Sequence, residues 1–447
     1  QAWSSNAELL GKPFNPADPQ HQQALTNGVV TLVDGVTEEM WVALWTPGSL
    51  LRINRSPYKH GKYPFTPAWA SRRHRDGMPY GIPRETRDSI DELNKRKSKI
   101  LFDLSTQQVM YEADAIDEAD EARVLDEFRR PDGEIRLRNA LATKLGDHGI
   151  HATPQQIVTT VGATHALDIV TRTLLRAGDS VLVDEPGWSV EYARLAALGM
   201  RVLPVPRGED GPDTAAMLRL IEAQKPHERP RLYVTVSVLH NPTGASLSLQ
   251  AAHRVLKIAQ AHDLHIVEDD TYAHLAPAHL PRLAALDALE RTIYVSGFSK
   301  ILVPNWRVGF LAAPAALVDR LVDTKLLSTL TTPGITEQAL AHCLENGLLR
   351  RHTERVMGKL AAARARVVRL AEAHGCRYAA PARGLFGWVD VGVDTERLAR
   401  ALLDDWLIAP GALFHAVHRP TTLMRINFAT SQDARFWRAL VAARAAL

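Results

Sequence analysis

Thr159-Thr160-Val161-Gly162-Ala163-Thr164-His165 joins a β-rich run over 157–161 to a stretch in which Ala166, Leu167, Val170, Leu174 and Leu175 recur at helical spacing. Gly178 follows as a stop signal. Strand, glycine turn and amphipathic helix in that order make the first unit of an α/β layered domain. The helix N-terminus offers free backbone N–H groups and a positive dipole end, so it should point at something anionic.

Downstream, β-rich runs over 180–183, 201–205, 231–238, 265–268, 292–296 and 308–312 alternate with helical periodicity. That pattern predicts a largely parallel sheet with helices on its faces. After Pro333 the pattern changes to long helices, one over roughly 348–374, and then to a short mixed segment that reads as a smaller α+β domain. Residues 1–95 are rich in Pro and Gly, and Trp3, Trp41, Trp45 and Trp69 fall on no common face. The division is therefore an unassigned N-terminal extension over 1–95, a large domain over 96–330, and an interdomain helix with a small C-terminal domain over 331–447.

The 447 residues are 46% hydrophobic and 23% charged, enough for a sizeable core and against wholesale disorder. Lys and Arg number 53 against 50 Asp and Glu, and a net charge of +3 argues against a nucleic-acid partner. The two cysteines, Cys343 and Cys376, are far apart and outside any metal-type spacing, which suits a reducing, cytoplasmic compartment and argues against a disulfide framework or a zinc site. No stretch reaches the apolar length of a membrane span, and the start, Gln1-Ala2-Trp3, has no signal-peptide pattern.

Three more segments sit at the ends of β-rich runs. They are Val238-Leu239-His240-Asn241-Pro242-Thr243-Gly244, then His265-Ile266-Val267-Glu268-Asp269-Asp270-Thr271-Tyr272, then Ser296-Gly297-Phe298-Ser299-Lys300 with Arg307 shortly after. Singly, each also fits an ordinary turn, a helix cap or a surface lysine. Open α/β sheets, however, place ligands at the C-terminal ends of their strands, and all of these segments lie there.

In order and spacing, from Gly162 through Asn241 and Asp269 to Lys300 and Arg307, the chain resembles the fold-type I pyridoxal-phosphate (PLP) enzymes. Within them it is similar to the class I/II aminotransferases, above all the aminotransferase domain of the MocR group, over roughly residue 100 to the C-terminus. The resemblance implies an aspartate-aminotransferase-like α/β/α large domain and PLP held by Lys300 as a Schiff base. It assigns proton transfer to Lys300, the pyridine nitrogen to Asp269, and the 3′ oxygen to Asn241 and Tyr272. Trp188 would stack on the ring, and Gly162, Ala163, Thr164, Ser299 and Arg307 would hold the phosphate. Arg425 would clamp the substrate carboxylate. Asp270, next along the strand, should point elsewhere. One departure stands out: Gly297 occupies a place where a phosphate-binding serine often stands, leaving Ser296 or a backbone amide as the substitute.

The implied reaction is amino transfer from an amino acid to a 2-oxo acid by a homodimer, with residues 330–333 reaching the neighbouring subunit. Other PLP reactions (decarboxylation, replacement, oxidation) use the same anchoring residues. MocR-type transcriptional regulators are the other alternative, but residues 1–95 carry no helix-turn-helix periodicity. A purely structural role would make the Lys300 constellation a relic.

Overall fold

A computed structural model of the chain describes residues 15, 17–28, 41–46, 49–55 and 131–447. The chain divides into two compact units, Gln1–Thr106 and Gln107–Leu447. In the first, helix α1 (Pro19–Thr26) starts where the Asp18 side chain accepts the Gln20 N–H, and strands β1 (Trp41–Thr46) and β2 (Ser49–Arg55) form an antiparallel hairpin. Trp3 and Trp69 lie outside the described residues.

The second unit opens with helix α2 (Ile135–Gly146) and alternates strand with helix: β3 (Ile157–Thr160), α3 (Ala163–Leu174), β4 (Ser180–Glu185), α4 (Ser189–Ala197), β5 (Arg201–Gly208). After β6 (Gly211–Pro212) come α5 (Thr214–Glu222), β7 (Leu232–Thr235), α6 (Leu249–Ala261), β8 (His265–Asp269), α7 (Leu283–Leu286), β9 (Thr292–Gly297) and β10 (Gly309–Ala312). These strands form one sheet in the order β3-β10-β9-β8-β7-β4-β5-β6. The neighbours from β9 across to β5 are parallel. β3, β7, β9 and β10 are buried at every position, as expected of strands covered on both faces.

Two details refine the sequence reading. β10 runs antiparallel to β3 and β9, because residues 298–308 are too few for the helical crossover a parallel neighbour requires. β7 stops at Thr235, not at 238, because the next amide, Val236 N–H, turns to the Asp184 carboxylate at 3.4 Å.

Helices α8 (Ala315–Thr329), α9 (Gly334–Glu345) and α10 (Leu348–Ala373) lead to a four-stranded antiparallel sheet in the order β11-β12-β14-β13. Its strands are β11 (Arg377–Tyr378), β12 (Phe386–Asp390), β13 (Ala409–Pro410) and β14 (Leu423–Asn427), with helices α11 (Thr395–Leu402) and α12 (Ala434–Ala445) packed alongside. One apolar cluster runs from Leu137, Tyr294 and Phe298 through Leu360 and Val367 of α10 to Val389, Phe428 and Trp437, tying the large and small domains together.

Candidate active site

The C-terminal ends of β3, β4, β7, β8 and β9 share one edge of the large sheet, and β10 begins there, with Gly309 paired to both Thr160 and Gly297. To this edge the chain delivers Gly162 after β3, Trp188 after β4, Asn241 after β7, Asp269 at the tip of β8, Lys300 after β9 and Arg307 before β10. This is where open α/β sheets hold ligands.

Gly162 caps α3 with φ 83° and ψ 169°, a conformation essentially confined to glycine. The N–H groups of His165 and Ala166 turn back to the Gly162 carbonyl, so the amides of Ala163 and Thr164 are left pointing out of the helix end. Arg307 reaches across it, its Nη2 donating to the Val161 carbonyl at 3.1 Å. A Cβ on Gly162 would lie 2.9 Å from that Nη2, and one on Gly309 would lie 2.6 Å from the Gly162 carbonyl carbon. The two glycines thus keep open a cradle lined by helix-end amides and a guanidinium, with the half-buried Ser299 nearby, a donor set that suits a phosphate. Ser296 does not contribute: it is buried, and its hydroxyl donates to the Asp270 carbonyl at 2.9 Å. Of the two substitutes expected for the missing serine, Ser296 is thus committed elsewhere.

Along β8 and the residue that follows it, the alternation of side chains sorts three consecutive acids. Asp270 turns into the core, where its Oδ2 accepts from Arg282 Nε at 2.8 Å and from the Tyr294 hydroxyl at 3.0 Å. Glu268 is also fully buried, accepting from the Ser237 hydroxyl and from the N–H groups of Leu283 at 2.7 Å and Ala284 at 2.8 Å. Burial pushes its carboxyl up to about 7. Asp269 faces the other way; its Oδ1 accepts the Thr271 N–H at 3.1 Å and the Thr271 hydroxyl, and its Oδ2 has no partner among the described residues. The residue keeps some solvent access, yet the surrounding protein desolvates its carboxyl and, despite the Thr271 bonds, pushes it up to about 6, with Glu191 adding to the rise. A protonated ring nitrogen would supply the opposite charge that Oδ2 lacks.

Across the domain seam, Arg425 on β14 donates from Nη1 to Asn241 Oδ1 at 2.9 Å. Its guanidinium carbon lies 4.4 Å from the Phe386 ring centroid and 5.1 Å from that of Phe414. Burial lowers its pKa. Tyr272 is buried edge-on to Phe386, centroids 5.6 Å apart, and its phenol is raised first by burial and then by Asp269. Asn241, Arg425, Phe386 and Tyr272 are therefore one contiguous set with Asp269 beside it. Phe386 and Phe414 were not anticipated; the inward phase of Phe386 and Trp388 on β12 was the available signal.

For Trp188, Ser299 and Lys300 the structure gives position without direct polar contact to that set. Trp188 is half-buried at the start of α4, packed on the apolar cluster that contains Ala166 and Val170. Lys300 is exposed in a turn closed by the Ile301 and Leu302 N–H groups on the Phe298 carbonyl, and its Nζ has no partner among the described residues.

A mainly parallel sheet with a smaller antiparallel domain, and a glycine-lined helix end beside an arginine, an aspartate with one uncommitted oxygen and an exposed lysine along one edge, are the architecture of the aspartate-aminotransferase-like class of PLP proteins. The family "Aminotransferase class I and II" matches residues 99–442, and the chain belongs to it, with PLP as cofactor. The phage P22-like portal protein family matches residues 6–166. The 2-aminoadipate transaminase of Thermus thermophilus is 30% identical over 314 residues, 68% of this chain and 77% of that protein. A probable rhizopine catabolism regulatory protein, MocR, of Rhizobium meliloti is 32% identical over 295 residues, 62% of this chain and 55% of that one. The crystal structure of LysN, an α-aminoadipate aminotransferase from Thermus thermophilus complexed with N-(5′-phosphopyridoxyl)-L-leucine, superposes with TM-score 0.64 at 29% identity, covering 73% of this chain and 88% of that one.

Proposed function

We propose that the chain moves an amino group from an amino acid to a 2-oxo acid, with Lys300 holding the cofactor and carrying the proton. The observation that supports this most is the 2.9 Å bond from Arg425 to Asn241, which sets a carboxylate-binding cation beside the residue assigned to the 3′ oxygen. When bound, PLP supplies an electron sink for the bond broken at the substrate α-carbon.

The chain's own groups do the rest. The amides of Ala163 and Thr164, with Arg307 and Ser299, hold the phosphate. Asp269 keeps a proton on the ring nitrogen, and Asn241 Nδ2 and the Tyr272 hydroxyl donate to the 3′ oxygen. Trp188 covers one ring face. Arg425 commits only Nη1 to Asn241, so the rest of its fork is free for the substrate α-carboxylate, while Phe386 and Phe414 shield it from water. Lys300 Nζ, unpaired and at the edge, takes the proton from the α-carbon.

The division into domains over 96–330 and 331–447 fits a large sheet within 157–312 and a small one within 377–427. A homodimer is supported by apolar side chains on the segment around 330–333: Leu327, Leu330 and Ile335 are 74%, 53% and 80% exposed. Two free cysteines fit the cytoplasm, and no helix among the described residues is long and apolar enough to cross a membrane.

The test is an amino-donor and acceptor screen that follows the cofactor spectrum, beginning with 2-aminoadipate because of the Thermus relative, with Lys300→Ala as control. Stoichiometric transfer to an acceptor is expected; ammonia or carbon dioxide released in its place would refute transamination. The MocR relative keeps a regulatory reading open to one direct assay, since sequence-specific retardation of DNA by the full chain would favour it.

A further inference from the structure

The Lys300 turn is short and needs support. Residues 298–302 form a single helical turn, with Ile301 and Leu302 N–H on the Phe298 carbonyl at 3.2 and 2.8 Å. One turn is not stable by itself, because its nucleation entropy is not recovered by further bonds. At its first residue the brace is apolar: Phe298 is buried, stacks on His274 at 5.0 Å and leans on Phe310 at 6.1 Å. At its far side the carbonyl of Ile301 would be left an open helix-end acceptor. His352 fills it, Nε2 to Ile301 oxygen 2.9 Å. A carbonyl can only accept, so Nε2 must carry the hydrogen.

His352 lies in the first turns of α10, whose later residues Leu360, Val367 and Ala371 are buried in the cluster shared with the small domain. The contact therefore joins the residue next to Lys300 to a helix that continues into the small domain.

We infer that His352 is a positioning residue that holds the Lys300 turn through the Ile301 carbonyl. It acts through that carbonyl and not on the reacting atoms. The inference rests on the assignment of Lys300 to the cofactor.

The test compares His352→Gln, which keeps an N–H of similar reach, with His352→Leu and His352→Phe, which have none; Phe also keeps the ring volume should Leu fail to fold. Hydrogen exchange of the peptide covering residues 298–302 is read by mass spectrometry in the cofactor-free full chain. Losing one hydrogen bond should speed exchange there roughly three- to tenfold in Leu and Phe, with wild-type rates in Gln. In the loaded enzyme kcat should fall in Leu and Phe with KM nearly unchanged, and recover in Gln.

Wild-type exchange and kcat in a folded His352→Phe protein would overturn the inference. A separate arm tests the assignment beneath it: borohydride reduction of the loaded wild type should fix the cofactor on the Lys300 peptide. Label elsewhere sinks the Lys300 reading; label on Lys300 with unchanged His352 variants sinks the positioning role alone.

Discussion

Gly162→Ala is the substitution that most directly tests the phosphate cradle. At φ 83° and ψ 169° a non-glycine residue is strained by about 1–3 kcal/mol, which the cofactor-free protein should show as a lower melting temperature. The new methyl would also start 2.9 Å from Arg307 Nη2, well inside the ~3.5 Å at which non-bonded heavy atoms rest. Arg307 is exposed, and its guanidinium is the far end of a flexible chain, so it can swing away. It then gives up its place over the helix end. A hydrogen bond to a charged group is worth about 1.5–3 kcal/mol, so PLP affinity should weaken roughly 10- to 150-fold. Absorbance titration of the cofactor-free protein measures that directly. Gly146→Ala is the control: its Cβ meets nothing within 4 Å and it lies in α2, so stability should hold or rise by about 0.5–1 kcal/mol. If Gly162→Ala melts with the wild type and binds PLP with unchanged affinity, the phosphate does not sit at this helix end.

Arg282→Leu leaves Asp270 buried without its cation, and urea unfolding should show a loss of about 3–5 kcal/mol. Glu268 gives a pH dependence of definite sign: burial raises its carboxyl in the folded protein from the ordinary 4.5 to about 7. Its contribution is therefore fully present below about pH 4.5 and lost as pH rises through 7, up to about 3 kcal/mol, and Glu268→Gln should flatten that part of the urea profile. Gly297→Ser should be tolerated, since a Cβ there meets the Ala163 nitrogen at 3.4 Å, an ordinary contact; if its hydroxyl reaches the phosphate, PLP binding tightens by up to about tenfold in the same titration.

What the sequence disclosed was what local pattern can carry. The turn at Gly162 and the helix behind it are neighbours in the chain, so propensity and spacing reveal both. The large sheet followed from alternation of strand and helix, and the orientation of Asp269 against Asp270 from the two-residue period of a strand. Contacts made across the chain were silent. Arg425 and Asn241 are 184 positions apart, and His352 and Ile301 are 51 apart; nothing near either residue of a pair signals the other. The antiparallel course of β10 is an intermediate case, legible only by asking whether residues 298–308 can hold a crossover.

Ser296 shows a limit of a different kind. The period that turned Asp270 inward applies equally to β9, where Tyr294 and Ser296 share a face and both reach Asp270, one at its carboxylate and the other at its carbonyl. Gly297 has the opposite phase and lies against Ala163 at the cradle. A serine one position early in a strand is therefore no substitute for the missing one, because a shift of one residue moves a side chain through the sheet. The hydroxyl absent at 297 can be replaced only by a donor that does not depend on strand phase, and a backbone amide is such a donor.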